Sequence, residues 1–240
     1  MNASDSPKSH IANHHLSEAV SQKNSRIVLV GLDGCGKSSQ ISLLKQAADF
    51  RPYCFVWARW KPLLLRPAYW LLQKTASRKP SSPHCREEDK SELKRKIFKK
   101  SPVRNVWMFM ALADYLIQFQ VKVLPLVLMK KKIVFDRYYL DLFVDQGINF
   151  GYSPARIEQE IRRHRWLFPR IDRYIYLKAS PDVCIMRKAD IPDINYLRLR
   201  EGVYDHLARR CQWSVLDGEA SPGVINDQIK ALILHSGQAH

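Results

Sequence analysis

Residues 31 to 38, Gly-Leu-Asp-Gly-Cys-Gly-Lys-Ser, hold the densest chemistry in this chain. Their spacing matches G-x-x-x-x-G-K-[ST], a loop whose main-chain amides cradle phosphate oxygens. Gly31, Gly34 and Gly36 allow the backbone to turn with positive φ and to approach an anion closely. The amides from Leu32 and Asp33 through Cys35 to Ser38 can form an anion nest, and Ser39 completes the cofactor-binding stretch. Lys37 would reach the β- and γ-phosphates of ATP, and the Ser38 hydroxyl would sit on Mg²⁺. The bland alternative is a glycine-rich turn that merely satisfies the pattern. The apolar run before it and the helix-compatible run after it argue against that.

A second anchor lies at Ile133-Val134-Phe135-Asp136, an apolar run ending in a carboxylate. Alone it reads equally well as a structural acid. Paired with an upstream phosphate loop, Asp136 becomes the acid that helps hold Mg²⁺. It is followed at once by Arg137 and Tyr138.

Stepping out from these residues, the elements that must carry them alternate. Strands are expected over about 26–31, 53–58, 133–135, 174–177 and 213–216. Helices are expected over about 37–49, 63–74, 103–130, 140–148, 154–166, from 181, 196–210 and from 222. Ser153-Pro154, Ser180-Pro181 and Ser221-Pro222 read as helix starts, with serine as cap and proline in the first turn. Pro125 should kink or end the long helix. Such alternation predicts an α/β domain with a five-stranded parallel sheet between helical layers. The polar stretch 1–24, with His10, His14 and His15, reads as a disordered leader. The domain then spans 25–236, with a basic insertion at 60–100, and 237–240 forms a tail.

Of 240 residues, 39 are Lys or Arg and 23 are Asp or Glu, a net charge of +16 that favours anionic partners. Much of the excess sits in Lys94–Lys100 and Lys130–Lys132, which read first as solvated helix ends. No nucleic-acid module is visible, so no specific nucleic acid is expected as a partner. The five cysteines include no C-x-x-C pair, which fits a reducing, cytoplasmic setting. No uninterrupted apolar run reaches bilayer length. Leu63–Leu72 with Lys94–Lys100 offers a peripheral contact with an anionic membrane as a minor reading.

Taken together, Gly31 to Gln40, Arg59, Asp136-Arg137-Tyr138 with Gln146-Gly147, Tyr176 to Pro181 with Arg187, and Leu216-Asp217-Gly218 resemble the thymidylate kinase family of nucleoside monophosphate kinases. The resemblance covers about 26–235. It implies a phosphate-loop nucleotide-hydrolase fold of three αβα layers, a short lid over about 187–196, and transfer of the ATP γ-phosphoryl group to dTMP. By that resemblance Asp33 contacts the acceptor sugar, Arg59 and Arg137 clamp the acceptor phosphate, and Arg187 covers the donor phosphates. Arg198 and Arg200 are weaker alternatives for that lid role. Lys37, Asp136, Arg137 and Arg187 are then the catalytic group. Tyr115, Tyr138, Asp141 and Gln146 join Asp33, Arg59 and Arg137 as the substrate-binding group. A homodimer is the usual assembly in that family.

Three departures matter. The family's phosphate-binding arginine on the long helix falls here at Tyr115, the segment after Tyr138 carries Asp141 and Asp145, and the lid is poor in arginine. Two added carboxylates and a lost arginine suit a less anionic acceptor, such as a nucleoside, sugar or lipid-linked hydroxyl. The other readings are a nucleotide-binding regulatory protein without turnover and, on charge alone, a nucleic-acid-stimulated ATPase.

Overall fold

The sheet is built from β1 (Arg26–Gly31), β2 (Tyr53–Trp57), β3 (Lys132–Asp136), β4 (Arg173–Lys178) and β5 (Ser214–Asp217). All pairs are parallel and the order is β2-β3-β1-β4-β5. The structure is a computed structural model that describes residues 25–63, 66, 101–188 and 194–234. Expectations for the leader, for most of 63–74, for Lys94–Lys100, for the middle of the lid and for the tail lie outside the described residues.

β1 and β3 are almost continuous apolar runs because both their faces are covered, as parallel strands require. β2 and β5 lie at the edges and are more open: Trp57 and Val215 are both exposed. Around the sheet run α1 (Lys37–Gln46), α2 (Ser101–Leu128), α3 (Tyr139–Asn149), α4 (Pro154–His164), α5 (Pro181–Arg187), α6 (Ile194–Arg210) and α7 (Pro222–Leu234). α1 packs against α7, while α3, α4 and α6 pack on one another and α2 on α3. Right-handed crossovers place these two sets on opposite faces of the sheet, giving the expected three layers. Buried Gln40 ties α1 to α7, donating to the Pro222 carbonyl (3.0 Å) and accepting from Asn226 (3.1 Å).

Boundaries moved where local chemistry dictates. The first helix ends at Gln46 and a 3₁₀ turn, Ala48–Phe50, leads into β2. Ser153 caps α4 as expected, accepting from the Arg156 amide. Ser180 does not cap α5 with its side chain; its amide donates instead to Glu219 (2.7 Å). Pro125 lies inside α2, which ends at Leu128, less than one turn later. By length and composition α2 is apolar enough to cross a bilayer, contrary to the expectation drawn from uninterrupted runs. In the fold it is a packed helix: Trp107, Asp114, Tyr115, Phe119 and Val123 are buried against the domain.

The strand order decides where a ligand can sit. From β1 the chain crosses to β2 on one side, and later to β4 on the other. The carboxyl ends of β1 and β3 therefore border a crevice, the usual ligand position in open α/β sheets. Gly31 ends β1 there and Asp136 ends β3.

Candidate active site

The phosphate loop runs from Gly31 to the first turn of α1, and its shape depends on glycine at two points. Gly34 has φ 89°, and a Cβ there would collide with the Cys184 carbonyl on α5. A Cβ on Gly31 would lie 2.6 Å from the Leu177 carbonyl oxygen of β4. The loop is thus pressed against β4 and α5, with room only for hydrogen. Lys37 is buried, 4% exposed, and folds back on this loop. Its Nζ donates to the carbonyl oxygens of Gly31 (2.9 Å) and Leu32 and lies 3.3 Å from Cys35 Sγ. Burial pushes its pKa down, against the opposing pull of Cys35, Asp33 and Asp136. Ser38 and Ser39 stand exposed at the start of α1.

Asp136 is in register with Leu29 of β1 and Trp57 of β2, so backbone pairing fixes its place beside the loop. Burial raises its carboxyl pKa, against the attraction of Lys37 and Arg137. One exposed hydroxyl, Ser38, and one carboxylate, Asp136, suit Mg²⁺, which keeps several waters and takes one or two carboxylates beside phosphate oxygens.

Next to the loop lies a closed ring of alternating charge. Asp33 pairs with Arg137, Arg137 Nη1 donates to Asp141 (2.7 Å), and Asp141 accepts from Arg200 Nη2 (2.9 Å). Arg200 Nη1 donates to Asp145 (2.6 Å), Asp145 lies 3.6 Å from Arg59, and Arg59 lies 3.4 Å from Asp33. Each member has two neighbours of opposite charge around the ring, and Arg200 also reaches across it to Asp33 (3.9 Å). The members come from the phosphate loop, the end of β2, the β3–α3 junction, α3 itself and α6. Arg137, at φ 69°, adopts a left-handed backbone that turns the chain from β3 into α3. Arg137, Asp141 and Arg200 form the buried half of the ring, with side chains 5%, 1% and 0% exposed. Asp33, Asp145 and Arg59 form its open half, at 19%, 20% and 31%. Burial works against ionising Asp141, but Arg137, Arg200 and the Tyr204 hydroxyl (2.7 Å) hold its carboxyl well below the usual range. Asp33 is also lowered, burial being outweighed by Arg137 and then Arg59.

Several residues expected at the substrate take internal roles. Tyr115 is 2% exposed and donates its hydroxyl to the Ala58 carbonyl (2.8 Å), bracing the end of β2. Tyr138 is fully buried among aromatic rings and donates to the Pro169 carbonyl (2.8 Å). Gln146 accepts from the Trp107 indole (2.9 Å) inside the core. Asp141 offers no free oxygen toward solvent; it is the internal tie of the ring. Arg187 ends α5 and donates to the Gly218 carbonyl (2.7 Å), so it is pinned to the loop after β5. Arg200 is no lid arginine, because it is entirely buried.

Sequence reasoning noted Asp145 and Arg200 but did not pair them. A signal was present. Arg137, Asp141 and Asp145 recur every four residues, as do Tyr196, Arg200 and Tyr204. Such spacing lays Asp141 and Asp145 along one face of α3, with Arg137 just ahead of its first turn, and Tyr196, Arg200 and Tyr204 along one face of α6; α3 and α6 pack together.

No family model matches this chain, and no curated protein matches it. Among solved structures it is similar to a deoxyadenosine kinase from M. mycoides with bound dATP, at 16% identity and a TM-score of 0.52, covering 88% of this chain and 100% of that one. The same enzyme with products dCMP and a flexible dCDP bound scores 0.49 at 14% identity, covering 88% and 98%. The first likeness is one of fold: the chain has the five-stranded parallel sheet and flanking helices of that kinase.

Proposed function

We propose that this chain is an ATP-dependent phosphotransferase that delivers the γ-phosphoryl group to a small acceptor of the nucleoside or nucleotide kind. The observation that carries the reading is the placement of Lys37, Ser38 and Asp136 around one crevice, with the arginine–aspartate ring beside it. Lys37 would exchange its loop carbonyls for the β- and γ-phosphates. Mg²⁺, held by Ser38, Asp136 and phosphate oxygens, would neutralise charge developing on the transferred group. The ring borders the loop through Asp33, so an acceptor bound on its open half lies next to the donor phosphates. In transfer, the acceptor oxygen bonds to the γ-phosphorus as the bond to the β-bridging oxygen breaks. ADP leaves, and a hydroxyl acceptor gives its proton to water.

The fold likeness to a deoxyadenosine kinase supports a nucleoside-type acceptor. The resemblance to the thymidylate kinase family, which would make Arg59 and Arg137 acceptor-phosphate clamps, points instead to a monophosphate such as dTMP. Titrating a non-hydrolysable ATP mimic with magnesium into the protein should give a saturable heat. ADP release from MgATP should then rise on adding deoxyadenosine, another deoxynucleoside or dTMP. An ATP mimic that gives no heat would overturn the proposal.

A further inference from the structure

The ring decides which of those two acceptor types fits, an inference that rests on the phosphotransferase reading above. Its three arginines and three aspartates sum to no net charge, and every guanidinium fork already faces at least two carboxylates. A clamp for an acceptor phosphate needs a guanidinium with an unfilled fork. Among the described residues of the ring, the most open guanidinium is that of Arg59, 31% exposed, and Asp33 and Asp145 flank it.

Asp145 cannot swing aside to release Arg59. Its Oδ1 accepts from the Tyr196 hydroxyl (2.8 Å) and from Arg200 Nη1 (2.6 Å). Arg200 is itself immobile, since its Nη2 is held by Asp141 (2.9 Å) and Tyr204 (2.7 Å) in a fully buried setting. We infer that Asp145, positioned by Arg200, sets the acceptor class: it cancels Arg59, so the open half of the ring takes a neutral acceptor through its hydroxyls and rejects one that carries a phosphate. The chemistry is two-sided. Two fixed carboxylates repel a phosphate dianion at close range, where exclusion of water strengthens the repulsion. The same carboxylates accept charge-assisted hydrogen bonds from hydroxyls, while Arg59 can donate to a hydroxyl oxygen. Arg200 touches no acceptor in this scheme and acts only by positioning Asp145.

Calorimetry with dTMP and with deoxyadenosine, on the full chain, tests this. In Asp145→Asn the shape is kept and Arg59 loses one counter-charge. Its dTMP affinity should rise by roughly ten-fold or more, the scale of one charge-assisted contact. Deoxyadenosine affinity should fall by a similar factor. A gain of affinity cannot come from damaged packing. A second variant, Arg59→Gln, changes a partly exposed side chain. With Arg59 already cancelled, dTMP affinity should stay within about two-fold of the unmodified protein, a margin well below one contact. No dTMP gain in Asp145→Asn, a ten-fold dTMP loss in Arg59→Gln, or tighter dTMP than deoxyadenosine binding in the unmodified protein would each overturn the inference. The ATP-mimic titration fails or succeeds separately, so loss of the specificity scheme and loss of the phosphotransferase reading are told apart.

Discussion

Lys37 holds its Nζ against its own loop, on two carbonyl oxygens and beside a thiol. Its side chain contributes little to the apolar core, so truncation should spare the fold and remove the amine that the proposed mechanism moves onto the phosphates. Lys37→Ala is expected to lower phosphoryl transfer by about 10²–10³, as loss of a transition-state donor does, with an unchanged melting temperature by calorimetry. Asp136→Asn should instead raise the magnesium concentration needed for half-maximal rate, read from a magnesium titration of ADP release. Gly34→Ala combines a left-handed backbone with a collision at the Cys184 carbonyl. It should weaken binding of the ATP mimic without help from any chemical step. These residues were legible in the sequence because the loop is local: eight consecutive positions fix both its identity and its conformation. Tyr115 was not, because whether a hydroxyl faces a ligand or a carbonyl depends on the chain crossing above it.

At the scale of elements, the junction of α3 with α6 is the part the sequence shows only as two separate periodic patterns, without their pairing. The strands and most helices follow from apolar runs and serine–proline starts, since those signals lie within each segment. The Arg200–Asp145 contact joins positions 55 residues apart, and nothing local says that α6 faces α3. That junction is also pH-sensitive. Asp141 has a depressed pKa in the folded chain, so its contribution to stability is complete above the unfolded carboxylate pKa, about 4. It is lost as pH falls below that value toward the folded pKa. Urea unfolding at pH 7 and pH 3 should show a drop that is smaller in Asp141→Asn. That variant should already be less stable at pH 7 by about 3–5 kcal/mol, because Arg137 and Arg200 lose the counter-charge between them.

Across the whole molecule, one sheet carries the glycine loop at the end of β1, Asp136 at the end of β3 and the charged ring beside them. Ligand binding at a site assembled from so many segments stabilises all of them together. An ATP mimic with magnesium at about 100 times its Kd should add about 2.7 kcal/mol. That corresponds to a rise of about 5–10 °C in Tm for a chain of this size, measured by scanning calorimetry, and Lys37→Ala should blunt it. The ring also has a meaning in time. Asp33 leaves the ribosome first of the six, and Arg200, which closes the circuit, leaves last. Until then the nascent chain holds three acids against two bases at this spot, and its pocket stays unfinished. A chain released short of α6 would carry an intact glycine cradle with no organised partner for it, so synthesis through α6 is itself a condition for competence.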